Sequence, residues 1–232
     1  MNLEEVRAQL EDEFTWRRDE IRFLHNQLSY IKKEEDKKRY RKALVVMLYS
    51  HFEGFCKTAL SIYANTINRE NLTCSLVTDQ IVASSLATMF QDFENTNKKS
   101  GLFIRDLPDD QSVHRFARQV ELISILKKIW IQPVEIPVDN VVDTEANLKP
   151  TIMKKILYRL GLPHDAFSEN EGRIHLLLNY RNSIAHGVAK DGLDERKYGE
   201  VQTAAIEIMS SLIKIITSAL SDTKYLRVGS VI

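Results

Sequence analysis

At 232 residues, 44% of them hydrophobic and 28% charged, the chain has the composition of a soluble globular protein with room for one full core. Its formal charge is zero, 32 basic side chains against 32 acidic, which excludes a protein that coats nucleic acid by charge alone and leaves room only for a local basic cleft. Eight glycines and five prolines supply few turn positions, so long helices are favoured.

The acidic, periodic start MNLEEVRAQLEDEF is unlike the basic and then apolar start of a signal peptide. Leu3, Leu10, Leu24 and Ile31, and Phe14, Ile21 and Leu28, recur by sevens and predict a helix over 3–31, with Arg17 interrupting the stripe. The cluster KKEEDKKRYRK at 32–42 reads as a solvated joint. A second long helix is predicted over 43–68. It is apolar nearly all round in its first half and is therefore the central helix, with Cys56 as a small buried hydrophobe. Its longest apolar run, ALVVML, is far short of a membrane span, so the chain reads as cytoplasmic, with no membrane among its partners.

Residues 69–112 are less regular, with a short helix expected at 79–93 and a polar loop at 94–101. Val113, Phe116, Ala117, Val120, Ile123 and Leu126 predict a helix over 113–130. The stretch 131–150 holds three prolines and reads as a long connection or a small extended flap. A helix over 151–160 ends at Gly161 and Pro163. Ser168 and Glu171 fit a capping box for a helix over 169–186, with Gly187 as its C′ residue. A last amphipathic helix spans 195–220, and the tail at 222–232 is expected to fray. The fold class is all-α: an antiparallel bundle of about four or five main helices, in one domain over 1–232.

The helix at 169–186 breaks its own pattern. Its apolar stripe runs Ile174, Leu177, Leu178, then Ile184, Ala185 and on to Val188, yet three residues beyond Leu178 stands Arg181. A guanidinium on that stripe requires paired carboxylates, a subunit interface or an anionic ligand. Asn182 lies four residues before His186 and shares its face, so the three form a polar wedge at the helix end, where the dipole favours a protonated imidazole. The spacing alone is weak: with 15 Arg and 6 His, chance yields about 0.4 such pairs. Arg159 and His164 repeat it, but across Gly161 and Pro163.

LNYRNSIAHG resembles the signature of the HEPN superfamily: an arginine, a polar residue directly after it, and a histidine at a helix end. VVMLYSHFEGFCKTAL and TEANLKPTIMKKILYRLGL are similar, more specifically, to the RiboL-PSP-type branch of small HEPN proteins, and the likeness covers about residues 3–215. The resemblance implies a bundle dimerising through the motif helices. It also implies a metal-independent endoribonuclease of a toxin–antitoxin or antiviral defence system, with RNA as substrate and an antitoxin or defence protein as a possible partner. The family's Arg and His map onto Arg181 and His186, and its intervening polar residue onto Asn182. HEPN toxins silenced by AMP transfer carry a tyrosine two positions after the histidine, where this chain has Val188, so that control is not expected.

The chemistry fits these residue types. RNA cleavage by its own 2′-OH needs a base, an acid and a cation for the phosphorane, and two copies of His186 and Arg181 across a two-fold axis supply them. His51 and Glu53 interrupt the central helix and are supporting candidates that could orient Arg181 or His186; a satisfied core histidine and a surface glutamate are the plainer alternatives. Asp139, Asp143 and Glu145 lack the histidine or cysteine spacing of a metal site, and neither metal nor cofactor is expected. His175 reads as structural, and Trp16, Trp130 and Tyr180 as core or interface aromatics. Arg7, Arg17, Arg18 and Arg22 could form a basic face on the first helix. The alternative to a nuclease is a catalytically silent HEPN scaffold that binds RNA or a protein partner.

Overall fold

The computed structural model describes residues 2–100 and 111–228, and its long elements are helices α1 (Leu3–Asn26), α2 (Glu34–Arg69), α8 (Glu171–Ala185) and α9 (Glu195–Ser221). These four pack on one another as a bundle with α2 against each of the other three. Direction follows from the paired residues. Phe14 meets Phe55, Trp16 meets His51, and Tyr40 donates to the Leu24 carbonyl, so α1 and α2 run antiparallel. Arg181 lies against Tyr49 and Ala189 against Lys42, so α8 opposes α2. The result is an up-and-down four-helix bundle.

Helix α2 carries the core. Val45, Leu48, Phe52, Phe55, Cys56, Ala59, Tyr63, Ala64 and Ile67 are all inaccessible to solvent. Its length differs from the sequence expectation: it starts at Glu34, and the charged stretch 32–42 is mostly helical rather than a joint. Four residues before Val45 stands Arg41, buried on the same stripe between Glu34 and Glu195. Helix α9 is long and apolar enough to cross a membrane by composition, but half of its most apolar stretch is buried within the bundle.

Shorter helices close one end: α3 (Asp79–Ser85), α4 (Ala87–Glu94), α5 (Gln111–Leu126), α6 (Val138–Val141) and α7 (Pro150–Arg159). The expected single helix at 79–93 breaks in two at Leu86. The connection at 131–150 is packed inward: Val134, Ile136, Val141, Val142 and Leu148 are buried, and Thr73 bridges Pro133. The tail is held where fraying was expected. Tyr225 is buried, Val77 bridges Leu226, and Arg227 donates to the Leu76 carbonyl, so the tail is tied down through Arg227. Positions 229–232 of that expected tail, and residue 101 of the expected polar loop, lie outside the described residues.

Helix α5 turns most of its apolar stripe outward. Of the residues that mark it in the sequence, Phe116, Val120, Ile123 and Leu126 are exposed and Ala117 is buried, while the polar His114 and Arg118 are turned inward. Hydrogen bonds hold the polar face there: Ser100 N–H donates to His114 Nδ1 at 3.2 Å and Arg118 donates to the Lys98 carbonyl at 2.6 Å.

Candidate functional site

The motif helix α8 opens differently from the expected capping box. Ser168–Asn170 is a 3-10 turn, Asn170 caps the helix without a side-chain hydrogen bond, and Glu171 pairs instead with Lys154 of α7. Its far end follows the sequence. Gly187 adopts φ +68° as the C′ residue, its N–H reaching the Ile184 carbonyl at 3.0 Å and that of Val188 reaching Ser183 at 2.9 Å.

Ile174, Leu177 and Leu178 are buried, so the first half of the helix sits in the core. The stripe does not continue as expected: Ile184 is only half-buried, Ala185 is exposed and Val188 is 71% exposed. The C-terminal turn therefore faces solvent on one side, with His186 on its open surface. Among the described residues no hydrogen bond or ion pair engages the His186 ring.

Arg181 is half-buried, with its guanidinium 4.8 Å from the centre of the Tyr49 ring and Nη1 donating to Asn182 Oδ1 at 2.9 Å. No carboxylate of the described residues pairs with it. The structure thus brings Arg181 and Asn182 into direct contact and places His186 at the helix end, about 7.5 Å further along the axis at 1.5 Å per residue.

Tyr49 is the residue that the sequence reading missed. Its hydroxyl accepts from the Leu148 N–H at 2.7 Å, which anchors the ring under Arg181. Burial, and after it the Glu53 carboxylate, push the hydroxyl above its usual range, while the Leu148 N–H and the Arg181 cation pull it down. Glu53 is thereby on the Arg181 side of α2, and its Oε1 is buried with no hydrogen-bond partner. The signal was available: Tyr49 and Glu53 are four apart on one face of the central helix.

His51 points the other way. It is buried against α1, edge-on to Trp16 at 5.5 Å and 3.4 Å from Glu20 Oε2. Burial lowers its pKa, Glu20 opposes that, and Arg17 adds to it. A histidine held neutral when folded and free to charge when unfolded costs stability in acid: as pH falls below the ordinary 6.5, the unfolded state gains the proton first. Stability is expected to fall between about pH 7 and 5 in wild type and to stay flatter in His51→Gln. Equal slopes in urea titrations of the two proteins would refute this.

The remaining candidates are used locally. Arg17 is buried, over the Trp16 ring at 4.2 Å and paired with Glu13; Arg7 pairs with Glu11 at 2.7 Å, and Arg18 lies 3.5 Å from Asp19. Of the four arginines expected to form a basic face, one thus faces inward and two stand beside acids, while Arg22 is exposed. Asp143 Oδ1 accepts from the Glu145 N–H, Glu145 pairs with Lys155, and Asp139 lies in the first turn of α6. His175 is exposed, Tyr180 is half-buried against the core, and Trp16 and Trp130 are each 48% exposed.

The loop after His186 is pinned by the N-terminal part of α2. Leu193 N–H donates to the Lys38 carbonyl at 3.0 Å, Arg41 reaches the Leu193 carbonyl at 3.4 Å, and the Lys42 ammonium reaches that of Ala189. Between this loop and α8 lies a cavity of about 440 Å³ lined in part by Lys42, Tyr180, Ser183, Lys190 and Lys197.

An up-and-down bundle whose third long helix ends in an Arg–Asn pair and an exposed histidine has the form of a HEPN domain. The family model described as HEPN_MAE_28990-like HEPN matches residues 6–225, and the chain belongs to this HEPN family. The likeness read from the sequence is thus shown at the level of the superfamily, whose members are typically nucleases or RNA-binding proteins. No curated protein and no solved structure matches the chain.

Proposed function

We propose that the protein is a metal-independent endoribonuclease of a toxin–antitoxin or antiviral defence system, acting as a homodimer with a composite site built from two copies of Arg181 and His186. The observation that carries this reading is the half-buried, carboxylate-free Arg181, held on Tyr49 and Asn182 at the base of a helix end that exposes His186. A fixed cation that pairs with no carboxylate of the described residues is suited to an anionic ligand.

In the reaction, neutral His186 takes the proton of the 2′-OH as that oxygen attacks phosphorus. The partner's His186, protonated, delivers its proton to the 5′-oxygen as the P–O bond breaks. The products are a 2′,3′-cyclic phosphate and a 5′-hydroxyl. Arg181 neutralises the phosphorane oxygens, in bidentate fashion where both guanidinium nitrogens reach them. Asn182 and Tyr49 position the guanidinium, and Glu53 acts on it through Tyr49.

A second reading, a catalytically silent HEPN scaffold, is favoured by the zero net charge and by the acids beside Arg7, Arg17 and Arg18, which leave α1 a weak nucleic-acid surface. Expression in a bacterial host separates the two. Wild type is expected to arrest growth and His186→Ala to relieve the arrest at equal soluble yield; equal toxicity of both would count against the nuclease.

A further inference from the structure

Of the fourteen large hydrophobic side chains exposed among the described residues, seven lie between Phe116 and Ile131. Phe116, Val120 and Ile123 follow at four and three along α5, and Trp130 and Ile131 of the next 3-10 turn are exposed as well, with the Arg227 guanidinium 5.1 Å from the centre of the Trp130 ring. Phe116 is 67% exposed, Ile123 54% and Ile131 74%. The polar face of α5 is turned inward by the bonds of His114 and Arg118, so the helix presents its apolar face to solvent by construction.

The exposed charges along this segment are nearly all of one sign. Arg115, Lys127 and Lys128 are exposed, and Glu121, the one acid of α5, accepts from Ser100 Oγ. Beside Phe116 a groove of about 750 Å³ opens between α4 and α5, lined in part by Phe93 and Arg115.

We infer that the outer face of α5 and the turn after it is a docking surface for another protein's amphipathic helix, apolar along its centre and acidic on its flanks. Apolar anchors meet the line of Phe116, Val120 and Ile123, and acidic side chains meet Arg115, Lys127 and Lys128. A second copy of this chain fits less well, because a two-fold contact would set these cations against their own copies. An anionic membrane fits less well too: three cations fall short of the roughly four to eight that make a lipid-binding cluster. The inference stands apart from the nuclease reading and survives its failure.

The test uses the full-length chain and two synthetic amphipathic helices with the same leucine stripe, one flanked by glutamates and one by lysines. Fluorescence anisotropy is expected to show the glutamate helix binding at least about tenfold more tightly than its twin, with weaker binding as salt rises. The double variant Phe116→Ser/Ile123→Ser, at two solvent-facing positions, is expected to weaken it by about tenfold or more at unchanged melting temperature. Four results would overturn the inference: no binding of either helix, equal binding of both, capture by phosphatidylserine/phosphatidylcholine vesicles that the double variant abolishes, or self-association that the double variant abolishes.

Discussion

Gly192→Ala is expected to destabilise the protein by about 3 kcal/mol, the upper range for a methyl forced into a packed contact. A Cβ at Gly192 would overlap the Lys38 Cβ and stand 2.7 Å from the Lys38 backbone carbon. The second neighbour is main chain inside helix α2, so the loop must give way instead. Its displacement would put the Leu193–Lys38 and Arg41–Leu193 hydrogen bonds at risk and leave Arg41, whose Nε is already buried without a partner, less satisfied. Gly199→Ala is the control, for nothing lies within 4 Å of its Cβ and helix propensity favours alanine by up to about 1 kcal/mol. Urea unfolding of both variants measures the contrast, and a Gly192→Ala midpoint equal to wild type would show that the loop is not pinned.

Arg181→Ala is expected to lower RNA cleavage by about 10³-fold, the loss typical of one preorganised charge-stabilising donor. The fold should be nearly unaffected, since the guanidinium is half-buried on the Tyr49 ring and a cation–π contact of that kind contributes about 1 kcal/mol. Arg181→Lys keeps the charge but loses the planar fork and its stacking on Tyr49, so it should recover only part of the rate. Full activity of either variant in single-turnover assays would remove Arg181 from the mechanism.

Much of the fold was legible in the chain, for a specific reason. Sevenfold recurrence from Leu3 to Leu28 and the apolar run from Ala43 to Ile67 mark helices irrespective of their partners. Periodicity says less about what covers a face. The stripe of Phe116, Val120 and Ile123 reads as core, and it is exposed because His114 and Arg118 bond inward to Ser100 and Lys98, partners fourteen and twenty residues away. Charge density misled at 32–42, where continuing the Val45 stripe back by four to Arg41 gives the helix that forms. The capping box at Ser168 failed because Glu171 pairs with Lys154, a contact set by how α7 meets α8.

The site was legible in part. Arg181, Asn182 and Gly187 stand out because they interrupt or end an apolar helix, and the structure joins the first two directly. Tyr49 did not, because a tyrosine in an apolar run looks like packing until the Leu148 N–H and the Arg181 guanidinium are seen to converge on it. His51 and Glu53, which flank Phe52 in YSHFEGF, part company because residues two apart on a helix face nearly opposite ways.

The most direct test of the nuclease reading is incubation of purified wild type, Arg181→Ala and His186→Ala with total RNA in EDTA, followed by analysis of the new ends. Cleavage by wild type that leaves 2′,3′-cyclic phosphates and is lost in both folded variants is the predicted result. Absence of cleavage by folded wild type, or cleavage that survives His186→Ala, would contradict it.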